Sequence, residues 1–141
     1  MKKFLMVAAI AAVAAVPATS SADTESKSAA ARGGANLQIK FVLQSVDGEF
    51  TKIKDFKFKN FTVTCEVGGP VDVNGQIDKM KINDKGKFDG NARTKNGQGK
   101  VHVEGEVKQG GKKVVGFLKS SGNFGGGAQN CKTKTEWVAE K

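Results

Sequence analysis

The chain has 141 residues and a mass of 14.9 kDa, enough for one ordinary domain. It contains 23 Lys and Arg against 14 Asp and Glu, which gives a formal net charge of +9, and it has two Cys and one His. Two Cys and one His are too few for a structural zinc site with four ligands of these types. The length also excludes a multidomain enzyme and a polytopic membrane protein.

Residues 1–22 have the layout of a secretory signal peptide. Lys2 and Lys3 are followed by an unbroken apolar run from Phe4 to Val16, and small residues end the segment, so we expect cleavage after Ala22. An uncleaved anchor is the weaker alternative, because crossing the hydrocarbon core takes about 20 apolar residues. Cleavage leaves 21 basic and 14 acidic residues, a net charge of +7, in a secreted or periplasmic protein without a membrane span.

Residues 23–36 are small and polar and include a Gly-Gly pair, which predicts a flexible linker before a single domain at 37–141. From Leu37 every second residue is apolar, a pattern typical of a half-buried strand. Asp47-Gly48 predicts a hairpin turn. The next apolar residues change parity, which indicates a β-bulge near Asp55.

Further strands and turns follow. A second inward row contains Phe61, Val63, Cys65 and Val67, and turns are predicted at Asp84-Lys85-Gly86, Lys95-Asn96-Gly97, Gln109-Gly110-Gly111 and in the Gly-rich stretch 122–129. Glycines with inward parity recur in four segments: Val73-Gly75-Ile77, Phe88-Gly90-Ala92, Val103-Gly105-Val107 and Val114-Gly116-Leu118. They favour a tightly coiled sheet, although a Gly-rich chain also produces such matches by chance.

The two cysteines have the same inward parity as the apolar residues around them. Cys131 begins an inward row that also contains Trp137 and Ala139, and Cys65 belongs to the earlier row. In an exported protein this pair predicts a disulfide that closes a loop of about 65 residues and stabilises the fold by about 4 kcal/mol. A reactive or metal-binding thiol is disfavoured, because the single His is distant in the sequence.

Helical periodicity is nearly absent after the signal segment. The pattern predicts an all-β fold, an antiparallel meander of eight to nine short strands that forms a small barrel or a β-sandwich, with one inter-strand disulfide.

Several short motifs resemble those of small secreted bacterial all-β proteins without an assigned function. The resemblance covers residues 41–139 and rests on Phe61-Thr62-Val63-Thr64-Cys65, Gly86-Lys87-Phe88, Val114-Val115-Gly116-Phe117-Leu118, Cys131 and Trp137-Val138-Ala139. It implies export, a disulfide and an all-β fold, and it carries no activity or catalytic residue to transfer.

Catalytic motifs are not found in the sequence. His102 lies on the polar side of a predicted strand, which indicates a solvated residue rather than a general base. No acidic residue lies in an apolar inward row, and no phosphate-binding loop precedes a helix. The stretch Asp72–Asp78 lacks the ligand spacing of a calcium loop. We therefore predict no catalytic residue, no metal site and no cofactor.

Lysines are the residues most open to a functional interpretation. Three clusters are candidates for polyanion binding: Lys52, Lys54, Lys57 and Lys59; Lys79 and Lys81; and Lys132 and Lys134. Strand alternation directs the interleaved Phe residues inward, which argues against specific nucleic-acid binding. Solubility and protection of strand edges are the alternative role of these lysines.

Two functional classes follow from these features. The first is a non-enzymatic secreted or periplasmic domain that binds anionic cell-envelope polymers through its Lys-rich strand faces. The second is a β-barrel that holds a small apolar ligand, suggested by the Phe-rich inward set. An enzyme is the least favoured class.

Overall fold

The structure is a computed structural model that describes residues 22–32, 36–94 and 99–140. Strands make up 80% of it. They are β1 (Ala22–Ala31), β2 (Gln38–Val46), β3 (Glu49–Val63), β4 (Cys65–Val67), β5 (Val71–Lys81), β6 (Lys87–Thr94), β7 (Lys100–Lys108), β8 (Lys113–Phe124) and β9 (Ala128–Glu140), with a 3₁₀ turn at Gln109–Gly111. The predicted all-β class and antiparallel meander are confirmed.

Eight of these strands form a closed antiparallel barrel, and β4 adds to the edge of β9. Around the barrel the order is β1-β2-β3-β5-β6-β7-β8-β9, and β1 closes it by pairing with β9 at Ala30–Val138 and Ala31–Trp137. Of the two predicted architectures, the barrel is therefore the one that forms.

The expected linker at 23–36 is wrong for most of its length. Ala22–Ala31 form strand β1, which pairs with β2 from Ala22–Val46 to Ala30–Gln38. Its inner side carries Ala29 and the aliphatic stem of Lys27, a residue only 5% exposed whose Nζ lies 3.3 Å from Glu25 Oε2. A strand that alternates Ala, Ser and Lys carries no large apolar residues, so its backbone pairing leaves a weak sequence signal.

Two sequence predictions fall on residues outside the described ranges. The signal peptide lies almost wholly within 1–21, and the Lys95-Asn96-Gly97 turn lies within 95–98. Both remain predictions.

Aromatic rings occupy the centre of the barrel. Phe41, Phe56 and Trp137 have ring centroids 5.7 to 5.9 Å apart, and Phe88 lies 6.5 Å from Trp137. All four residues are at most 4% exposed. Rings at these separations contact one another directly, so side chains fill this part of the interior.

Glycines lie opposite the large inward rings on neighbouring strands. Gly75 faces Phe58, Gly105 faces Phe88 and Gly116 faces Trp137. A Cβ atom on Gly75 would lie 2.6 Å from Phe58 Cζ, so a side chain there would displace the ring. The glycines therefore have the predicted inward parity, and they leave space for rings in a narrow barrel.

We call the two halves of the barrel its walls, and they meet at the β5–β6 and β1–β9 ladders. The first wall is β1, β2, β3 and β5, and the second wall is β6, β7, β8 and β9. Within the described ranges, β5 and β6 pair only at Gly75–Thr94 and Gln76–Arg93, and β1 and β9 pair at the two positions given above. The predicted disulfide is confirmed. It joins Cys65 of β4, which follows β3 of the first wall, to Cys131 of β9 in the second wall.

Two details of the strand pattern have different outcomes. The predicted bulge is confirmed, because the β2–β3 register shifts beside Asp55, whose φ is 52°. The inward row fails at Val67, which is 51% exposed. The alternation changes here because β4 pairs with β9 and not with β5. The inward parity of β3 therefore does not extend to the end of β4.

Candidate anion-binding face

Lysines of three adjacent strands converge on the outer surface of the first wall. The ladders place Lys52 opposite Lys81, Lys54 opposite Lys79 and Lys40 opposite Lys57. Directly opposed residues have Cβ atoms about 5 Å apart and project to the same side of the sheet. Together with Lys59 these residues form what we call the basic face: Lys40, Lys52, Lys54, Lys57, Lys59, Lys79 and Lys81.

The bulge in β3 keeps its lysines on one side. In a regular strand, residues 54 and 57 would project to opposite faces. The left-handed conformation of Asp55 resets the parity, so Ile53 and Phe56 are both fully buried while Lys54 and Lys57 are both exposed. Asp tolerates this conformation better than most residues do.

Two carboxylates lie within the basic face. Asp55 and Asp78 are both exposed, and Asp78 Oδ1 accepts a hydrogen bond from Arg93 Nη2 at 3.0 Å. The salt bridges among the described residues involve Lys27, Arg32, Arg93 and His102, and none involves a lysine of the basic face. Cations therefore outnumber carboxylates across this surface.

A groove of about 480 Å³ opens at one end of the basic face, where the β5–β6 ladder lies. It is lined by Lys57, Phe58, Lys59, Asn74, Gly75, Gln76, Arg93 and Thr94. Its lining side chains include three cations and two carboxamides. Unlike the rest of the basic face, the groove is concave. Phe58 is only 1% exposed and so offers no free ring face for stacking.

A second bulge shapes the wall of this groove. Two β3 residues, Lys59 and Asn60, oppose Asn74 alone, and Asn60 has a φ of 61°. The Asn60 N–H donates a hydrogen bond of 3.0 Å to Asn74 Oδ1. This contact fixes the Asn74 carboxamide by its oxygen and leaves the NH₂ group to donate elsewhere.

The third predicted cluster lies on the other side of the barrel. Lys132 and Lys134 belong to β9, and Lys134 is opposite Lys119 of β8. In the ring of eight strands, β8 and β9 are diametrically opposed to β3 and β5. Lys134 Nζ also lies 4.4 Å from the centroid of the Phe117 ring, a cation–π contact. The structure therefore brings two of the three clusters together and leaves this one apart.

Sequence reasoning missed two residues of this surface, Lys40 and Arg93. Lys40 is an isolated lysine in an apolar strand, and Arg93 precedes a predicted turn. Counting back from the Asp47-Gly48 turn pairs Lys40 with Lys57 only if β3 has two extra residues, one near Thr51 and one near Asp55, and the sequence indicated only the second.

His102 lies in a surface network rather than a cleft. Its Nδ1 is 2.9 Å from Asn91 Oδ1, and its Nε2 is 3.9 Å from Asp89 and 3.7 Å from Glu104. Within residues 22–32, 36–94 and 99–140, no group of three or more His, Cys, Asp or Glu is placed to hold a metal ion.

Comparison with known proteins gives no match. No family model, curated protein or solved structure matches this chain. Helices of the length and hydropathy needed to cross a membrane do not occur among the described residues.

Proposed function

We propose that this protein is a non-enzymatic secreted or periplasmic domain that binds anionic cell-envelope polymers through the basic face. The observation that carries this proposal is the direct cross-strand opposition of Lys52 with Lys81, Lys54 with Lys79 and Lys40 with Lys57. Like charges opposite each other destabilise a sheet. Solubility alone requires only charges of mixed sign, so a bound polyanion is the better explanation of this arrangement.

The spacing of the basic face suits a linear polyanion. Neighbouring strands are about 4.8 Å apart, and alternate residues along a strand are about 7 Å apart. A polymer that lies across β2, β3 and β5 can therefore contact several lysines at once and release its own counterions. Such binding weakens as salt rises, because the exposed charges are screened beyond about 10 Å at 0.1 M ionic strength.

Chemistry and compartment favour an envelope polymer as the partner. Phe56 and Phe58 are at most 1% exposed, so the face lacks the free rings on which nucleic-acid bases stack. The disulfide and the predicted signal peptide support a location outside the cytoplasm, where anionic polysaccharides are accessible. The alternative is a barrel that holds a small apolar ligand. The interior gives it no support, because the packed rings of Phe41, Phe56, Phe88 and Trp137 fill the centre.

Binding to dextran sulfate and to polygalacturonate tests the proposal. We expect both polymers to bind residues 23–141 at an ionic strength of about 0.02 M and to dissociate above about 0.5 M. The variant Lys52→Gln/Lys54→Gln/Lys79→Gln/Lys81→Gln is expected to bind about tenfold more weakly or worse.

A charge-matched control separates a binding face from net charge. The variant Lys100→Gln/Lys119→Gln/Lys132→Gln/Lys134→Gln removes the same number of charges from the second wall and should keep most of the affinity. Equal losses in the two variants would mean that net charge alone governs binding, and the proposal would then be wrong. Failure of the unmodified protein to bind either polymer at low salt would also reject it.

A further inference from the structure

We propose that the groove at the end of the basic face is a subsite that seats one anionic group of the bound polymer between Lys57, Lys59 and Arg93. This inference rests on the proposed function and goes beyond it, because it assigns selectivity to a defined set of donors. The ligand group is a carboxylate, a phosphate or a sulfate carried on a linear chain.

The groove differs from the rest of the basic face in its donors. Elsewhere the face offers lysine ammonium groups, which attract anions without directional preference. In the groove Arg93 adds a planar guanidinium, and Asn74 and Gln76 add carboxamides. An anion in this position can receive two parallel N–H bonds from the guanidinium and charge-assisted bonds from the lysines.

Arg93 can bind an anion while it keeps its partner. Its hydrogen bond to Asp78 uses one guanidinium nitrogen, and a guanidinium has five N–H donors. The two side chains are 68% and 75% exposed, so the pair is solvated and contributes little stability of its own. The contact with Asp78 therefore occupies only part of the guanidinium, and the remaining N–H groups can donate to an anion bound in the groove.

Local backbone features place these donors together. A Cβ atom on Gly75 would lie 2.8 Å from the Arg93 carbonyl oxygen, so glycine permits the close approach of β6 to β5 that brings Arg93 beside the β3 lysines. The bulge at Lys59 and Asn60 fixes Asn74 by its oxygen. Bulges are frequent next to binding sites, where they redirect side chains.

Two single substitutions test the subsite. Arg93→Lys keeps the charge and removes the planar donor pair, and Asn74→Asp keeps the acceptor for Asn60 N–H and replaces the NH₂ donor with a carboxylate oxygen. We expect each to weaken binding of the preferred polymer by about five- to tenfold at fixed salt. Unchanged melting temperatures would show that both variants fold normally.

Three probes distinguish the sources of the anionic group: polygalacturonate for carboxylate, polyphosphate for phosphate and dextran sulfate for sulfate. If one anionic group binds in the groove, Arg93→Lys should change the order of the affinities for the three polymers. Lys57→Gln/Lys59→Gln should also lose more affinity than Lys52→Gln/Lys54→Gln, which removes two charges from the same strand outside the groove.

The outcomes separate the two proposals. If Arg93→Lys and Asn74→Asp bind every probe as the unmodified protein does, the subsite is wrong while polymer binding by the basic face stands. If the unmodified protein binds none of the probes, both proposals fail.

Discussion

The two walls of the barrel share a backbone design and differ in their outer surfaces. On the second wall, cross-strand neighbours include the opposite charges of Lys87 with Glu106 and Lys113 with Glu140. On the first wall, lysines of β3 face lysines of β2 and β5. Among the described residues, the second wall has two opposed Lys–Lys pairs, Lys108 with Lys113 and Lys119 with Lys134. Lys113 also faces Glu140, and Lys134 lies over the Phe117 ring.

This difference shows which features the fold needs. The second wall demonstrates that a sheet of this barrel can be built with acidic and basic residues on the same outer surface. The proposed polyanion binding accounts for the three opposed lysine pairs on the first wall.

The junctions between the walls also differ, and removing the disulfide should have the largest effect on stability. Cys65–Cys131 joins β4 to β9 at one junction, whereas the β5–β6 junction has no covalent link apart from the connecting turn. We expect Cys65→Ala/Cys131→Ala to lower the free energy of unfolding by about 4 kcal/mol. Urea unfolding measures this loss, and a change below about 1 kcal/mol would show that the bridge constrains little.

Replacing an inward glycine of the second wall should have an intermediate effect. A Cβ atom on Gly116 would lie 2.5 Å from Trp137 Cζ2, so Gly116→Ala has to displace the indole or the strand. We expect a loss of about 1 to 3 kcal/mol in unfolding free energy. Gly48→Ala is the control: its Cβ has open space, so only the strain of its φ of 84° should appear, at about 1 kcal/mol.

Separating an opposed lysine pair should have the smallest effect and the opposite sign. Lys54→Gln/Lys79→Gln removes a cross-strand repulsion on the first wall, so we expect a stability gain of about 0.2 to 1 kcal/mol at low salt that shrinks as salt rises. A double-mutant cycle isolates the pair term. The matched pair Lys119→Gln/Lys134→Gln also removes the contact with Phe117 and should gain less. A loss of stability in Lys54→Gln/Lys79→Gln would contradict the view that opposed lysines destabilise the first wall.

The sequence predicts the inner surface of the barrel better than its outer surface. Alternation identified the buried residues Ile39, Phe41 and Phe56, and the change of parity located the bulge at Asp55. These features depend on short-range periodicity, because a buried face requires apolar residues at every second position. The disulfide prediction rests on the presence of two Cys in a chain with a predicted signal peptide.

Features that depend on the pairing between distant strands could not be predicted. Strand β1 has no large apolar residue, and its inner side includes Ala29 and a buried Lys27, so the sequence resembles a linker although its backbone closes the barrel. The β3 and β5 lysines face each other because of a ladder register set by the bulge at Lys59 and Asn60 and by the intervening β4, and parity alone does not supply a register. Arg93 reaches the groove by the same long-range pairing.

Lysine protection by a bound polymer shows directly which wall of the barrel the polymer contacts. Residues 23–141 are acetylated with and without polygalacturonate at low ionic strength, and mass spectrometry measures the modification of each lysine. The account predicts that Lys52, Lys54, Lys79 and Lys81 are protected by the polymer, while Lys119 and Lys132 react at the same rate with and without it. Equal protection on both walls, or protection confined to the second wall, would contradict the account.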